Sequence, residues 1–84
     1  MIVLWRETTE PRRVGFAVSR QIPGAVQRNR ARRRLREAYR AARETAPTHT
    51  ALVIIGRPGA LRVPFPALAA ELSGALATIP GPRP

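Results

Sequence analysis

Residues 24–44 read G-A-V-Q-R-N-R-A-R-R-R-L-R-E-A-Y-R-A-A-R-E, and their reading decides how the rest of the chain is arranged. Eight arginines stand against two glutamates, and no glycine or proline follows Gly24. Stepping about 100° per residue from Leu35 gathers Ala31, Ala38, Tyr39 and Ala42 within roughly 60° of it, which predicts an amphipathic helix with a narrow apolar stripe. Arg30, Arg33, Arg36 and Arg40 fall on the far side with Asn29, while Arg28 and Arg32 flank the stripe at its N-terminal end. One face is suited to dock on a core and the other to meet an anion. No Ser, Thr or Asp caps the start near Gly24 or Ala25. The helix is expected to end before Pro47, because a residue preceding proline is pushed out of the helical region.

The flanks supply the core on which that stripe docks. Ile2–Arg6 reads as a strand, followed by a polar turn over Glu7–Pro11. Arg12–Arg20 reads as a second strand, since Val14, Phe16 and Val18 alternate with Gly15, Ala17 and Ser19 at period two. The Gly/Ala/Ser face is nearly bare, which lets either a helix or another chain approach the backbone closely. Ala51–Gly56 is apolar at every position and predicts a central strand buried on both faces. After the turn Arg57-Pro58-Gly59, the residues Phe65, Leu68, Leu72, Leu76 and Ile79 recur at spacings of three and four, giving a second helix with Pro66 in its first turn. The tail, residues 80–84, is expected to be disordered. The expected architecture is a single α+β domain over residues 1–79. Its core is drawn from Ile2, Val3, Leu4, Val14, Phe16, Val18, Leu35, Tyr39, Leu52–Ile55, Phe65, Leu68, Leu72 and Leu76.

Composition narrows the function. The 84 residues carry fifteen arginines, no lysine, five glutamates and no aspartate, for a formal net charge of +10. Arg28–Arg36 contains six arginines in nine residues and no acid. Self-repulsion of that size is relieved by a polyanionic partner. Nucleic acid fits better than a membrane, because the apolar stripe is mostly alanine and would insert weakly. The guanidinium fork suits bidentate phosphate contact. With no cysteine, disulfides and thiolate metal sites are excluded. No long apolar run or signal peptide is evident, so a cytoplasmic protein is the default expectation. Catalysis by side chains is disfavoured: the one histidine, His49, lies in a polar loop without a carboxylate partner, and no His/Asp cluster exists for a metal. Trp5, the only tryptophan, has two open readings, core packing or a stacking platform for an unpaired base.

Two segments together carry a family resemblance. Arg13-Val-Gly-Phe-Ala-Val-Ser-Arg20, a short turn, and Ala25-Val-Gln-Arg-Asn-Arg-Ala-Arg-Arg-Arg-Leu-Arg-Glu37 resemble the bacterial ribonuclease P protein component, with its V-G-x-x-V-S strand feeding an R-N-R-x-K/R-R-x-x-R-E helix. Val53-Ile-Ile-Gly-Arg-Pro58 is similar to the family's last strand and following turn. The resemblance implies a two-layer α/β sandwich of the kind shared with a ribosomal protein domain, with a left-handed crossover through the basic helix where pattern reasoning alone predicts a right-handed one. It implies a subunit that binds the catalytic RNA of ribonuclease P and the 5′ leader of precursor tRNA, with no further protein partner required. It also implies that the RNA and its Mg²⁺ ions perform the hydrolysis, the protein itself holding no cofactor. By position, Arg28, Asn29, Arg30, Arg32, Arg33, Arg36 and Arg40 are the implied RNA contacts, and Trp5, Gly15, Ala17 and Ser19 the implied leader cleft. Family members begin earlier, with an aromatic-bearing helix that walls this cleft; the chain starts at what reads as the first strand. The competing expectation is a non-enzymatic structural RNA-binding module.

Overall fold

Alternation along the strands and the 3.6-residue stripe along the helices dictate two layers, and the computed structural model, which describes residues 1–84, shows them. Strands β1 (Ile2–Glu7), β2 (Arg13–Val18) and β3 (Thr50–Gly56) form one sheet in the order β1-β3-β2. β3 runs antiparallel to β1 and parallel to β2. Helix α1 (Ala25–Ala42) is the crossover between the two parallel strands, and α2 (Phe65–Ala77) packs beside it. A 3₁₀ turn over Arg43–Thr45 finishes α1, and a second over Pro58–Leu61 occupies the place of the turn expected at Arg57–Gly59. The expected α+β sandwich is therefore present, with element boundaries that agree to within four residues.

β3 is central, yet it is buried on one face only. Thr50, Leu52, Ile54 and Gly56 are buried, whereas Val53 is 41% exposed. The expectation of burial on both faces is corrected here: both helices lie on the same side of the sheet, so the Ala51-Val53-Ile55 side has no second layer. Ile2 and Leu4, also expected in the core, share that uncovered side and are 41% and 53% exposed.

The core forms where the helix stripes meet the covered face. Leu35, Ala38 and Ala42 of α1 join Leu52 and Ile54 of β3 and Leu68, Leu72 and Leu76 of α2 in one cluster. Alanines along α1 let the helix come close to the sheet. A Cβ built on Gly56 would lie 2.8 Å from Leu35 Cδ1, so the contact leaves no room for a side chain there. Ile22, Ala46, Ala60 and Ile79 are also buried, although none belongs to a strand or to the α1 stripe. Ile22 is held from the N-terminal end of α1, where the Arg28 side chain donates through Nε to its carbonyl at 2.9 Å.

The tail is placed differently from the expectation. The Thr48 amide donates to the Pro82 carbonyl at 2.9 Å, and the Arg83 guanidinium donates to the carbonyls of Thr45, Leu76 and Ala77 at 3.0–3.1 Å. Carbonyls at a helix C-terminus lack intrahelical donors, and a guanidinium, with five N–H groups, can satisfy several at once. Residues 80–84 thus lie against the end of α2 and the loop before β3, where disorder was expected from their proline content alone.

Candidate nucleic-acid interface

Burial splits α1 as its sequence periodicity requires. Ala31, Leu35, Ala38 and Ala42 are buried, and Tyr39, Arg28 and Arg32 are half-buried at the margin. Arg30, Arg33, Arg36, Arg40 and Arg43 are exposed, together with Asn29. Leu35 lies at the centre of the buried stripe, so Arg30, Arg33, Arg36 and Arg40 occupy an arc of roughly 120° turned away from the core, and Arg43 follows in the 3₁₀ turn. Acid does little to neutralise them. Glu37 pairs with Arg40 at 3.4 Å, an exposed i,i+3 contact of the kind worth a few tenths of a kcal/mol.

Several basic side chains are committed to the fold. Arg34 donates to the Val63 carbonyl, tying α1 to the segment before α2, and its Nε has no acceptor. Arg12 donates to the Ala46 carbonyl at 3.0 Å. Arg32 donates to Asn29 Oδ1 at 3.3 Å and Arg28 holds Ile22, so these three expected RNA contacts also brace the start of the helix. Arg36 leans over β2, its Cζ 5.9 Å from the centre of the Phe16 ring, which Tyr39 meets edge-on at 5.9 Å.

The opposite side of the sheet carries a second surface. Its residues are Ile2, Leu4 and Arg6 of β1, Ala51, Val53 and Ile55 of β3, and Arg13, Gly15 and Ala17 of β2. A Cβ on Gly15 would meet nothing nearer than the Leu52 carbonyl oxygen at 4.0 Å. The fold itself therefore does not demand glycine at this position. A shallow concavity of about 370 Å³ lies against Leu4, Trp5, Arg6, Ala51 and Val53.

The register separates the expected cleft residues. Gly15 and Ala17 share the uncovered face, but Trp5 pairs with Leu52 and so points to the helix side, 44% exposed at the outer edge of β1. Trp5 borders the concavity without sharing a face with Gly15. Ser19 lies beyond the end of β2, where its amide donates to Gly56 and its hydroxyl accepts from the Gln21 amide, fixing the turn into α1. Leu4, Arg6 and Val53 share the uncovered face with Gly15 and Ala17, and Trp5 and Ser19 do not. Nothing in β1 signals this, because four consecutive apolar residues, Ile2–Trp5, are compatible with either register. His49 is exposed, its Nδ1 3.0 Å from the Glu10 carbonyl oxygen. No three His or Glu side chains come together, and no helix is long and apolar enough to cross a membrane.

Known proteins share both the sequence and this geometry. The chain is 44% identical over 70 residues to the ribonuclease P protein component of Gluconacetobacter diazotrophicus, covering 82% of the chain and 60% of that protein. It is 47% identical over 66 residues to the same component of Symbiobacterium thermophilum, covering 79% and 57%. Against that of Brucella suis it is 49% identical over 69 residues, covering 80% and 48%. The chain thus spans about half to three-fifths of the length of these relatives. The solved structure of the ribonuclease P protein from Thermotoga maritima superposes with a TM-score of 0.81 at 30% identity, covering 94% of this chain and 76% of that one. The sequence model of the Ribonuclease P family matches residues 1–80, and with the fold in agreement, the chain belongs to that family.

Proposed function

We propose that the chain acts as the protein subunit of ribonuclease P, binding that enzyme's catalytic RNA through α1 and the 5′ leader of precursor tRNA across the uncovered face of the sheet. The observation that carries the reading is the row of exposed arginines, Arg30, Arg33, Arg36, Arg40 and Arg43, held on one side of a helix whose other side is locked into the core. Guanidinium groups fixed on a rigid helix contact phosphates without ordering a loop first, and such contacts position a folded RNA without reading its bases. Across the sheet, an extended single strand fits a flat apolar face with Val53 at its centre, Gly15 and Ala17 bare along its β2 edge and Arg6 and Arg13 at its rim. The residues present do not fit a Mg²⁺ site, since the five glutamates do not converge. In this proposal metal-assisted hydrolysis belongs to the RNA, and the protein binds and orients.

Reconstitution tests the subunit role. Adding the chain to ribonuclease P RNA at low Mg²⁺ should raise the rate of precursor tRNA cleavage. RNA binding with no change in cleavage would instead make the chain a structural RNA-binding module.

Gly15→Val separates the two surfaces. Valine suits a strand and meets no close neighbour here, so stability should hold or rise slightly. Affinity for leader-bearing precursor should fall about tenfold, equivalent to 1.4 kcal/mol, with mature tRNA unaffected. An equal affinity for precursor in variant and parent would remove the leader from this face.

A further inference from the structure

We infer that the groove between α1 and the start of α2 is a slot for one unpaired nucleotide of RNA, its base stacked on Phe65 and its phosphates held by Arg30 and Arg33. The inference rests on the reading of α1 as an RNA-binding face and adds a site to it. Arg30, Arg33, Arg34 and Glu37 are spaced i, i+3, i+4 and i+7, so they form one line along the side of α1 that looks toward α2. With Phe65 they line an open groove of about 410 Å³, within the size range of ligand sites, about 300–1,000 Å³.

Phe65 is the unusual member. It heads the apolar stripe of α2, whose other members Leu68, Leu72 and Leu76 are at most 1% exposed, yet Phe65 itself is 37% exposed. The two phenylalanines are treated oppositely by the fold. Phe16 has Arg36 over its face and Tyr39 at its edge, whereas no aromatic ring or guanidinium is stacked on Phe65. The bond from Arg34 to the Val63 carbonyl, two residues before Phe65, pins the ring beside the arginines.

The chemistry selects the ligand. A free aromatic face next to two exposed guanidinium groups matches a base and its flanking phosphates. Duplex RNA cannot present the face of a base, so the nucleotide must be single-stranded, bulged or terminal. Glu37, the one acid lining the groove, is engaged with Arg40 and leaves Arg30 and Arg33 free. No side chain caps the first turn of α2, so the partial positive charge of that helix end adds to the field.

The test compares a short oligoadenylate single strand with a perfect RNA duplex as probes for the full chain. Phe65→Leu keeps apolar volume but removes the ring, and should weaken oligoadenylate binding about 5- to 150-fold, the effect expected for one stacked base, while duplex affinity stays as in the parent. Phe65→Tyr should restore oligoadenylate binding, and the fluorescence of Phe65→Trp, after subtraction of the Trp5 signal, should be quenched by oligoadenylate and not by duplex. Equal oligoadenylate affinity for parent and Phe65→Leu, or an equal loss for both probes that tyrosine does not rescue, would overturn the slot. If Arg30→Ala with Arg33→Ala leaves duplex affinity untouched as well, the RNA-binding reading of α1 fails with it; if that pair weakens duplex binding while Phe65→Leu is silent, only the slot is lost.

Discussion

Replacing Arg30, Arg33 and Arg40 together by alanine is expected to weaken binding to ribonuclease P RNA about a thousandfold with the fold intact. All three are exposed, and the only fold contact any of them makes is the exposed Arg40–Glu37 pair. Hydrogen bonds to a charged group are worth about 1.5–3 kcal/mol, so three at the lower end amount to about 4.5 kcal/mol, and each 1.4 kcal/mol is tenfold. The salt dependence should change with the affinity. With some five arginines on phosphates, log K should fall against log salt with a slope of about −3.5 to −4.5, and losing three contacts should flatten it by about 2 to 2.7. Surface substitutions of this kind alter stability by about 0.5 kcal/mol or less each, and relief of like-charge repulsion offsets part of that. A filter-binding titration at several salt concentrations reads both quantities. Parent-like affinity and slope in the triple variant would put the phosphate contacts elsewhere.

Leu35→Ala is expected to have the largest effect on stability, because Leu35 is fully buried at the junction of α1, β3 and Gly56. Leucine-to-alanine changes in cores cost about 2–5 kcal/mol. For an 84-residue chain the whole stability is about 4–13 kcal/mol at 0.05–0.15 kcal/mol per residue. A loss near 3 kcal/mol should lower the Tm by about 12–24 °C. The other fully buried residues of α1 are alanines, so only the half-buried Tyr39 adds a second large side chain from this helix. On the proposed function, RNA binds only the arrangement in which the arginines point one way, so RNA at about 100 times its Kd should return about 2.7 kcal/mol and most of the Tm. A loss below about 1 kcal/mol in thermal denaturation would mean that other contacts hold the basic helix in place.

The particular elements show why parts of this fold can be read without coordinates. The α1 stripe is legible because alanine and leucine recur at 3.6-residue spacing amid arginines, so a single periodicity names both the buried and the exposed side. The uniform apolarity of β3 misleads, since composition cannot say whether a second layer covers Val53. The face taken by Trp5 is illegible for a related reason: strand register is set by pairing with β3, forty-seven positions away, and an unbroken apolar run in β1 is silent about it. Arg83 and Ile22 are long-range or turn contacts with no periodic signal. Phe65 obeys the α2 period and is nevertheless exposed, because it sits one turn beyond the edge of the core. Its exposure is visible only once α1 and α2 are placed side by side.

The most direct test of how this chain meets RNA is nuclear magnetic resonance of arginine Nε–H groups during titration with ribonuclease P RNA. Arg30, Arg33, Arg36, Arg40 and Arg43 should shift or broaden first, while Arg12, whose guanidinium is engaged with the Ala46 carbonyl, and Arg83, engaged at the end of α2, should remain unchanged. Perturbation centred on Arg12, Arg57 and Arg83, with the α1 arginines silent, would contradict the account.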